Sequence, residues 1–245
     1  MHRFYTTCQN ISQDIILISD KNQVHHIRNV LRLKTKEEVV IFDDKGNEYS
    51  SIIEKILPKS VIFKIKKRRK SFPQKNKLKI TVACAIPKKS KMDEIIDKLT
   101  QLGVDRIIPL ETQRVVIKLD EQKKILRHRR WEKIAQNASL QSQRSQIPVV
   151  EPIKDIRKVL SCAQDFDLKL IPTLMGKRKT LRETLRESNP KNILVLIGPE
   201  GDFTPQEVDS AKRVGFIPVS LGDLVLRVET AALAVASFIR LYENS

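Results

Sequence analysis

From residue 78 onward, short branched apolar runs alternate with segments of helical period. That alternation constrains the fold more than any other feature of the chain. "KITVACAI" (79–86), "RIIPL" (106–110), "DLKLIP" (167–172), "NILVLI" (192–197) and "FIPVSL" (216–221) read as strands. Between and after them lie "KMDEIIDKLTQLG" (91–103), a long helical stretch from about Glu121 to Ser142, "TLRETLRES" (180–188), "PQEVDSAKRV" (205–214) and "ETAALAVASFIRLYE" (229–243). Runs that are apolar throughout suit strands covered on both faces. Strands alternating with helices predict an α/β domain with a largely parallel sheet.

The first 72 residues have another rhythm. "DIILIS" (14–19), "EVVIFD" (38–43) and "SVIFKIKKRR" (60–69) are strand-like, and "DDKGNEY" (43–49) is a hairpin turn. With one short helix, "VHHIRNVLR" (24–32), they predict a compact β-barrel. "SFPQKN" (71–76) has linker composition. The expected organisation is a small domain at 1–72 and the α/β domain at 73–245.

Charge is distributed unevenly. The chain has 46 Lys and Arg against 29 Asp and Glu, a net +17. From Lys55 to Lys79 there are eleven Lys or Arg and no carboxylate. A polyanionic partner, nucleic acid first, is one reading. A plain solvated face is the other. The three cysteines, Cys8, Cys84 and Cys162, are widely spaced and fit a reducing compartment. With only four histidines there is no recognisable metal cluster, so no metal is expected. No apolar run approaches the ~18 residues of a spanning helix, and the first residues lack the apolar core of a signal peptide. A cytoplasmic location without membrane partners is the expectation.

Two glycine-containing corners carry the site. In "ILVLIGPEGDFTPQEV" (193–208) a strand ends at Gly198-Pro199-Glu200-Gly201. Thr204 is then placed to cap a helix, with Pro205 at its first position and Glu207 completing a capping box. The loop lacks G-x-G-x-x-G and the Walker lysine, and Glu200 and Asp202 would repel a phosphate. It reads as a loop for a neutral or cationic ligand, or as a tight turn. In "SLGDLVLRVETAAL" (220–233), Arg227 stands alone among Leu224, Val225, Leu226 and Val228. If buried it needs a partner; a salt bridge and a substrate contact are both open.

Taken together, "IGPEGDFTPQEV" and "LGDLVLRVETAALAV" resemble the bacterial 16S ribosomal RNA uridine N3-methyltransferase family of the knotted SPOUT superfamily. "HRFY" (2–5), "HHIRNVLR" (25–32), "KMDEIIDKLTQLGVDRIIPL" (91–110) and "RWEKIAQNASLQSQRSQIPVV" (130–150) extend the resemblance over nearly the whole chain. It implies an α/β fold: a trefoil-knotted SPOUT methyltransferase domain with an N-terminal PUA-like β-barrel domain. It also implies S-adenosylmethionine as cofactor, a homodimer, and a uridine near the decoding region of 16S rRNA in the assembled small subunit as substrate.

By position, the resemblance assigns the cofactor pocket to Leu196, Ile197, Gly198, Pro199, Glu200 and Gly201, then to Ser220, Leu221, Gly222, Leu224, Leu226 and Arg227, with Glu229 and Thr230. Arg3, His25, His26, Arg28 and Arg32 are the RNA contacts it suggests, and Arg144 is an RNA or a cofactor contact. Arg227, a permanent cation, is the candidate catalytic group, stabilising charge that develops on the uracil oxygens. Two places depart from the family pattern. Asp202 and Gln143 stand where the family commonly has glycine, and Leu140, in the same segment as Gln143, where it commonly has glutamate.

Overall fold

The computed structural model describes residues 1–69, 78–88, 91–114, 120–144 and 146–243. The expected linker at 71–76 lies outside them. The chain separates into two compact units: Met1–Lys75 with Ser139–Ile147, and Asn76–Ala138 with Pro148–Ser245.

In the first unit, β1 (His2–Tyr5) and β2 (Ile15–Ile18) precede α1 (Lys21–His25), which continues as a π-helical turn, His26–Val30. Strands β3 (Glu38–Phe42), β4 (Glu48–Ile56) and β5 (Val61–Arg69) follow. Asp20 caps α1 by accepting from Gln23 N. The β3–β4 turn is organised by Asp43, whose carboxylate accepts from Lys45 N, Asn47 N and the Tyr49 hydroxyl at 2.8–2.9 Å. Burial, and then that hydrogen bond, push the Tyr49 phenol up to about 12. Phe4, Ile16, Ile27, Ile41, Ile53 and Phe63 form the core.

The second unit runs β6 (Lys79–Ala85), α2 (Lys91–Gln101), β7 (Arg106–Glu111), α3 (Glu121–Gln141, its residues from Ser139 on belonging to the first unit), β8 (Val149–Val150), β9 (Lys154–Asp155) and α4 (Ile156–Ser161). Then come β10 (Leu168–Pro172), β11 (Lys179–Thr180), α5 (Leu181–Ser188), β12 (Asn192–Ile197), α6 (Pro205–Arg213), β13 (Ile217–Ser220) and α7 (Val228–Glu243). The sheet order is β11-β13-β10-β12-β6-β7-β8, with β9 also on β7. All pairings among these strands are parallel.

Local chemistry sets the element ends. Thr204 and Glu207 form the expected reciprocal capping box of α6 with Pro205 at its start, and Thr180 and Glu183 do the same for α5. Gly103 and Gly215 leave α2 and α6 at φ +81° and +89°, which β-carbon sterics would penalise in other residues. Helix α7 is fastened near its end by Arg240. Its guanidinium donates to Leu78 O, Gly103 O and Asp105, and pairs with Glu243, at 2.5–2.8 Å. Ala83, Leu194, Leu196, Phe203, Val208 and Ala211 belong to the core between the sheet and α6.

The expected pairing of a knotted SPOUT core with a closed PUA-like β-barrel is corrected. The N-terminal sheet has the order β1-β3-β4-β5-β2, and its two edge strands do not pair with each other. Alternating apolar strands allow a barrel or an open sheet; closure needs an edge-to-edge ladder that β1 and β2 do not make. The second sheet is likewise open, and its pairing order does not amount to a closed, knotted core. The architecture is α/β, an open five-stranded sheet and an open parallel sheet.

Candidate functional site

Strand β10 lies between β12 and β13. After β12 the chain returns to the far side of β10, so the order reverses there. In open parallel sheets such a reversal leaves a crevice outside the carboxyl ends of the strands, where ligands bind. A cleft open to solvent occupies that place. Pro172 at the end of β10 and Thr173, Leu174 and Arg178 of the segment after it line one side. Ile197 ends β12, and the loop after it contributes Gly198, Pro199, Glu200 and Asp202. Val219, Leu221, Gly222 and the run Leu224–Leu226 close the other side, with Val228 and Ala231 of α7.

The Gly198 corner is required by close approach. A β-carbon there would lie 3.0 Å from the Phe203 ring, which is fully buried, and 3.4 Å from Asp202 Oδ1. Asp202 fixes the loop. Its Oδ2 accepts from Thr173 Oγ1 at 2.8 Å and Leu174 N at 2.9 Å, and Oδ1 accepts from Phe203 N at 2.7 Å. Its φ is +59°, a left-handed backbone that suits glycine. Gln143, the other residue standing in a usual glycine place, also has φ +59°. Both departures therefore keep glycine-type backbone under a larger side chain.

Behind the loop, Arg114 Nη1 donates to the Gly201 carbonyl, and Gln113 N donates to the buried Glu207 at 2.9 Å. Glu200 accepts from Lys88 N at 3.2 Å, and Glu229 faces Lys91 Nζ at 3.6 Å. Cys84, at the end of β6, is buried. Desolvation, and then Glu229 and Glu200, push its thiol well up, so it stays protonated.

Of the residues expected in the cofactor pocket, the cleft brings together Ile197, Gly198, Pro199, Glu200, Leu221, Gly222, Leu224 and Leu226. Leu196 instead faces the core. Ser220 and Gly222 share a turn through the Ser220 hydroxyl, at 3.2 Å. Gly201, Glu229 and Thr230 border the cleft in sequence without lining it. Arg227 is exposed and lies outside the lining, between Leu226 and Val228, which do line it. Sequence reasoning missed Thr173, Leu174 and Arg178. They carry no motif, and only the placement of β10 between β12 and β13 brings them in.

Among the suggested RNA contacts, His25, His26, Arg28 and Arg32 are exposed. Arg28 donates to Pro58 O at 2.8 Å, and Arg32 leaves the helical segment at φ +52°. Arg3 is committed within its own unit. It pairs with Glu48 at 2.6 Å and lies over the Phe42 ring. Arg144 follows α3, its backbone N–H donating to Ser139 O at 2.9 Å. Lys64, Lys66, Lys67, Arg68 and Arg69 of β5 are all exposed. Lys55 and Lys59 are exposed too, and Lys70, Lys75 and Lys77 lie outside the described residues.

The cleft fits S-adenosylmethionine. Its apolar walls suit an adenine ring, its carboxylates suit a cationic ligand, and Gly198 leaves room where a side chain would collide. The family described as RNA methyltransferase domain matches residues 74–240, and that described as RNA methyltransferase PUA domain matches residues 18–66. Fold, cleft and match define an RNA methyltransferase. Ribosomal RNA small subunit methyltransferase E of Bacillus subtilis is 29% identical over 98% of this chain and 96% of its own. The enzyme of the same name from Mesomycoplasma hyopneumoniae is 31% identical over 95% of this chain and 96% of its own. The crystal structure of that methyltransferase from Neisseria gonorrhoeae, bound to S-adenosyl methionine, superposes with TM-score 0.83. It is 30% identical and covers 99% of this chain and 98% of that one. The chain belongs to the ribosomal RNA small subunit methyltransferase E family.

Proposed function

We propose that this chain methylates N3 of a specific uridine in 16S rRNA, near the decoding region, using S-adenosylmethionine. The carrying observation is the acidic, apolar cleft at the carboxyl ends of β10, β12 and β13 in a chain of this family. When bound, the cofactor supplies a methyl group activated by its sulfonium. Glu200 and Asp202 offset that positive charge, and the Gly198–Asp202 loop orients the ligand. Leu224 and Val225, 78% and 72% exposed beside the cleft, offer an apolar surface for an unstacked base. Arg227, next to this surface, stabilises the negative charge that develops on the uracil oxygens.

Residues 1–72 act as the RNA-positioning domain and 73–245 as the catalytic domain. His25, His26, Arg28, Arg32 and Arg144, with the basic end of β5, hold the RNA backbone, which fixes register more than sequence. The substrate is the assembled small subunit, the active form is a homodimer, and the setting is the cytoplasm. No helix among the described residues is long and apolar enough to cross a membrane.

The test is incubation of the purified protein with methyl-labelled cofactor and small subunits from cells that lack the modification. Label on uracil N3 of 16S rRNA is expected. Label on another base would overturn the assigned position, and no label would overturn the activity.

A further inference from the structure

The cleft carries one cation that the reading above leaves without a task. Arg178 lines it from the segment after β10. Its Nη1 donates to Thr173 O at 3.2 Å, and Thr173 is in turn hydrogen-bonded to Asp202. Among the described residues no carboxylate pairs with Arg178, although its neighbour Lys179 pairs with Glu187 at 2.8 Å. A guanidinium has five N–H donors, and one of them suffices for the carbonyl. The carbonyl therefore holds the head group at the cleft with donors to spare.

The charges lining the cleft are two carboxylates, Glu200 and Asp202, and this guanidinium. S-adenosylmethionine carries two cations, sulfonium and ammonium, and one carboxylate. The two sets are complementary in number and sign. An RNA phosphate is the other anion a guanidinium could take here, but the same two carboxylates oppose its entry.

Resting on the cofactor assignment proposed above, the geometry points to Arg178 as the residue that binds the carboxylate of the cofactor's amino-acid end. Its contact is a charge-assisted hydrogen bond from an exposed side chain at the edge of the open cleft. Arg178 is thus a specificity residue, separating the complete cofactor from adenosine thioethers that lack the amino-acid group. The Thr173 carbonyl and the Asp202 clamp set its position, so the segment after β10 reads one end of the cofactor while the loop after β12 reads the other.

The experiment compares the wild type, Arg178→Ala and Arg178→Lys by calorimetric titration. The two probes are S-adenosylhomocysteine, which has the carboxylate, and 5′-methylthioadenosine, which lacks it. Arg178→Ala is expected to weaken the first about tenfold or more and to leave the second within about twofold. Arg178→Lys is expected to recover part of the loss. Equal weakening of both ligands would make Arg178 a support for the loop and overturn the proposal. Unchanged binding of both would overturn it too, and a loss confined to affinity for a 16S rRNA fragment would assign the cation to phosphate instead. Failure of the wild type to bind S-adenosylhomocysteine would overturn the cofactor site itself.

Discussion

Replacing Asp202 separates two effects that the structure superimposes. The carboxylate accepts three hydrogen bonds, from Thr173 Oγ1, Leu174 N and Phe203 N. Each contributes about 1 kcal/mol net, so their loss sums to about 3 kcal/mol. The backbone at this position is left-handed, at φ +59°. Aspartate already bears the left-handed cost of about 1 kcal/mol, which alanine keeps and glycine relieves. Asp202→Ala is therefore expected to destabilise by about 3 kcal/mol and Asp202→Gly by about 2 kcal/mol. At roughly 2–4 °C per kcal/mol for a chain of this size, the alanine variant should melt on the order of 10 °C lower. The assay is thermal and urea unfolding of both variants, alongside S-adenosylhomocysteine affinity, which should fall in both because the two loops come apart. Glycine as stable as the wild type would refute the clamp. Alanine no less stable than glycine would refute the backbone argument.

Gln143 has the same left-handed φ without a comparable clamp among the described residues, so Gln143→Gly should stabilise by about 0.5–1 kcal/mol, read as a higher urea midpoint. Gly198→Ala pushes a β-carbon to 3.0 Å from the Phe203 ring; a loss of about 1–3 kcal/mol is expected, with weaker cofactor binding in the same calorimetric titration. Arg227→Ala should lower kcat about a hundredfold and leave S-adenosylhomocysteine affinity nearly unchanged, since the residue lies outside the cleft lining; equal losses would make it part of the pocket. Cys84 is buried with a raised thiol pKa and Cys162 is exposed. At mildly alkaline pH, iodoacetamide should modify Cys162 in the native protein and Cys84 only after unfolding, as peptide mass spectrometry would show.

Much of the α/β unit was legible because its signals are local. The apolar run at 192–197, the Thr204–Pro205–Glu207 start of α6 and the glycine ends of α2 and α6 depend on neighbours a few residues apart. The two-residue strands β8, β9 and β11 were not legible, since their pairing is decided by the sheet they join. Nor was the place of β10 between β12 and β13, which is why Thr173, Leu174 and Arg178 escaped notice while Gly198 and Leu221 did not. The open N-terminal sheet was missed for a related reason. The apolar pattern of β2 or β5 is the same whether or not the edges meet. Arg3 illustrates a further limit: in sequence it is a free cation near the start, but it is spent on Glu48 and Phe42.

The most direct test of the central claim is nucleoside mass spectrometry of 16S rRNA from cells lacking this gene, with and without its return. N3-methyluridine should vanish from the RNA in the deletion strain and reappear on complementation with the wild type. N3-methyluridine persisting at its ordinary level in the deletion strain would contradict the assigned reaction.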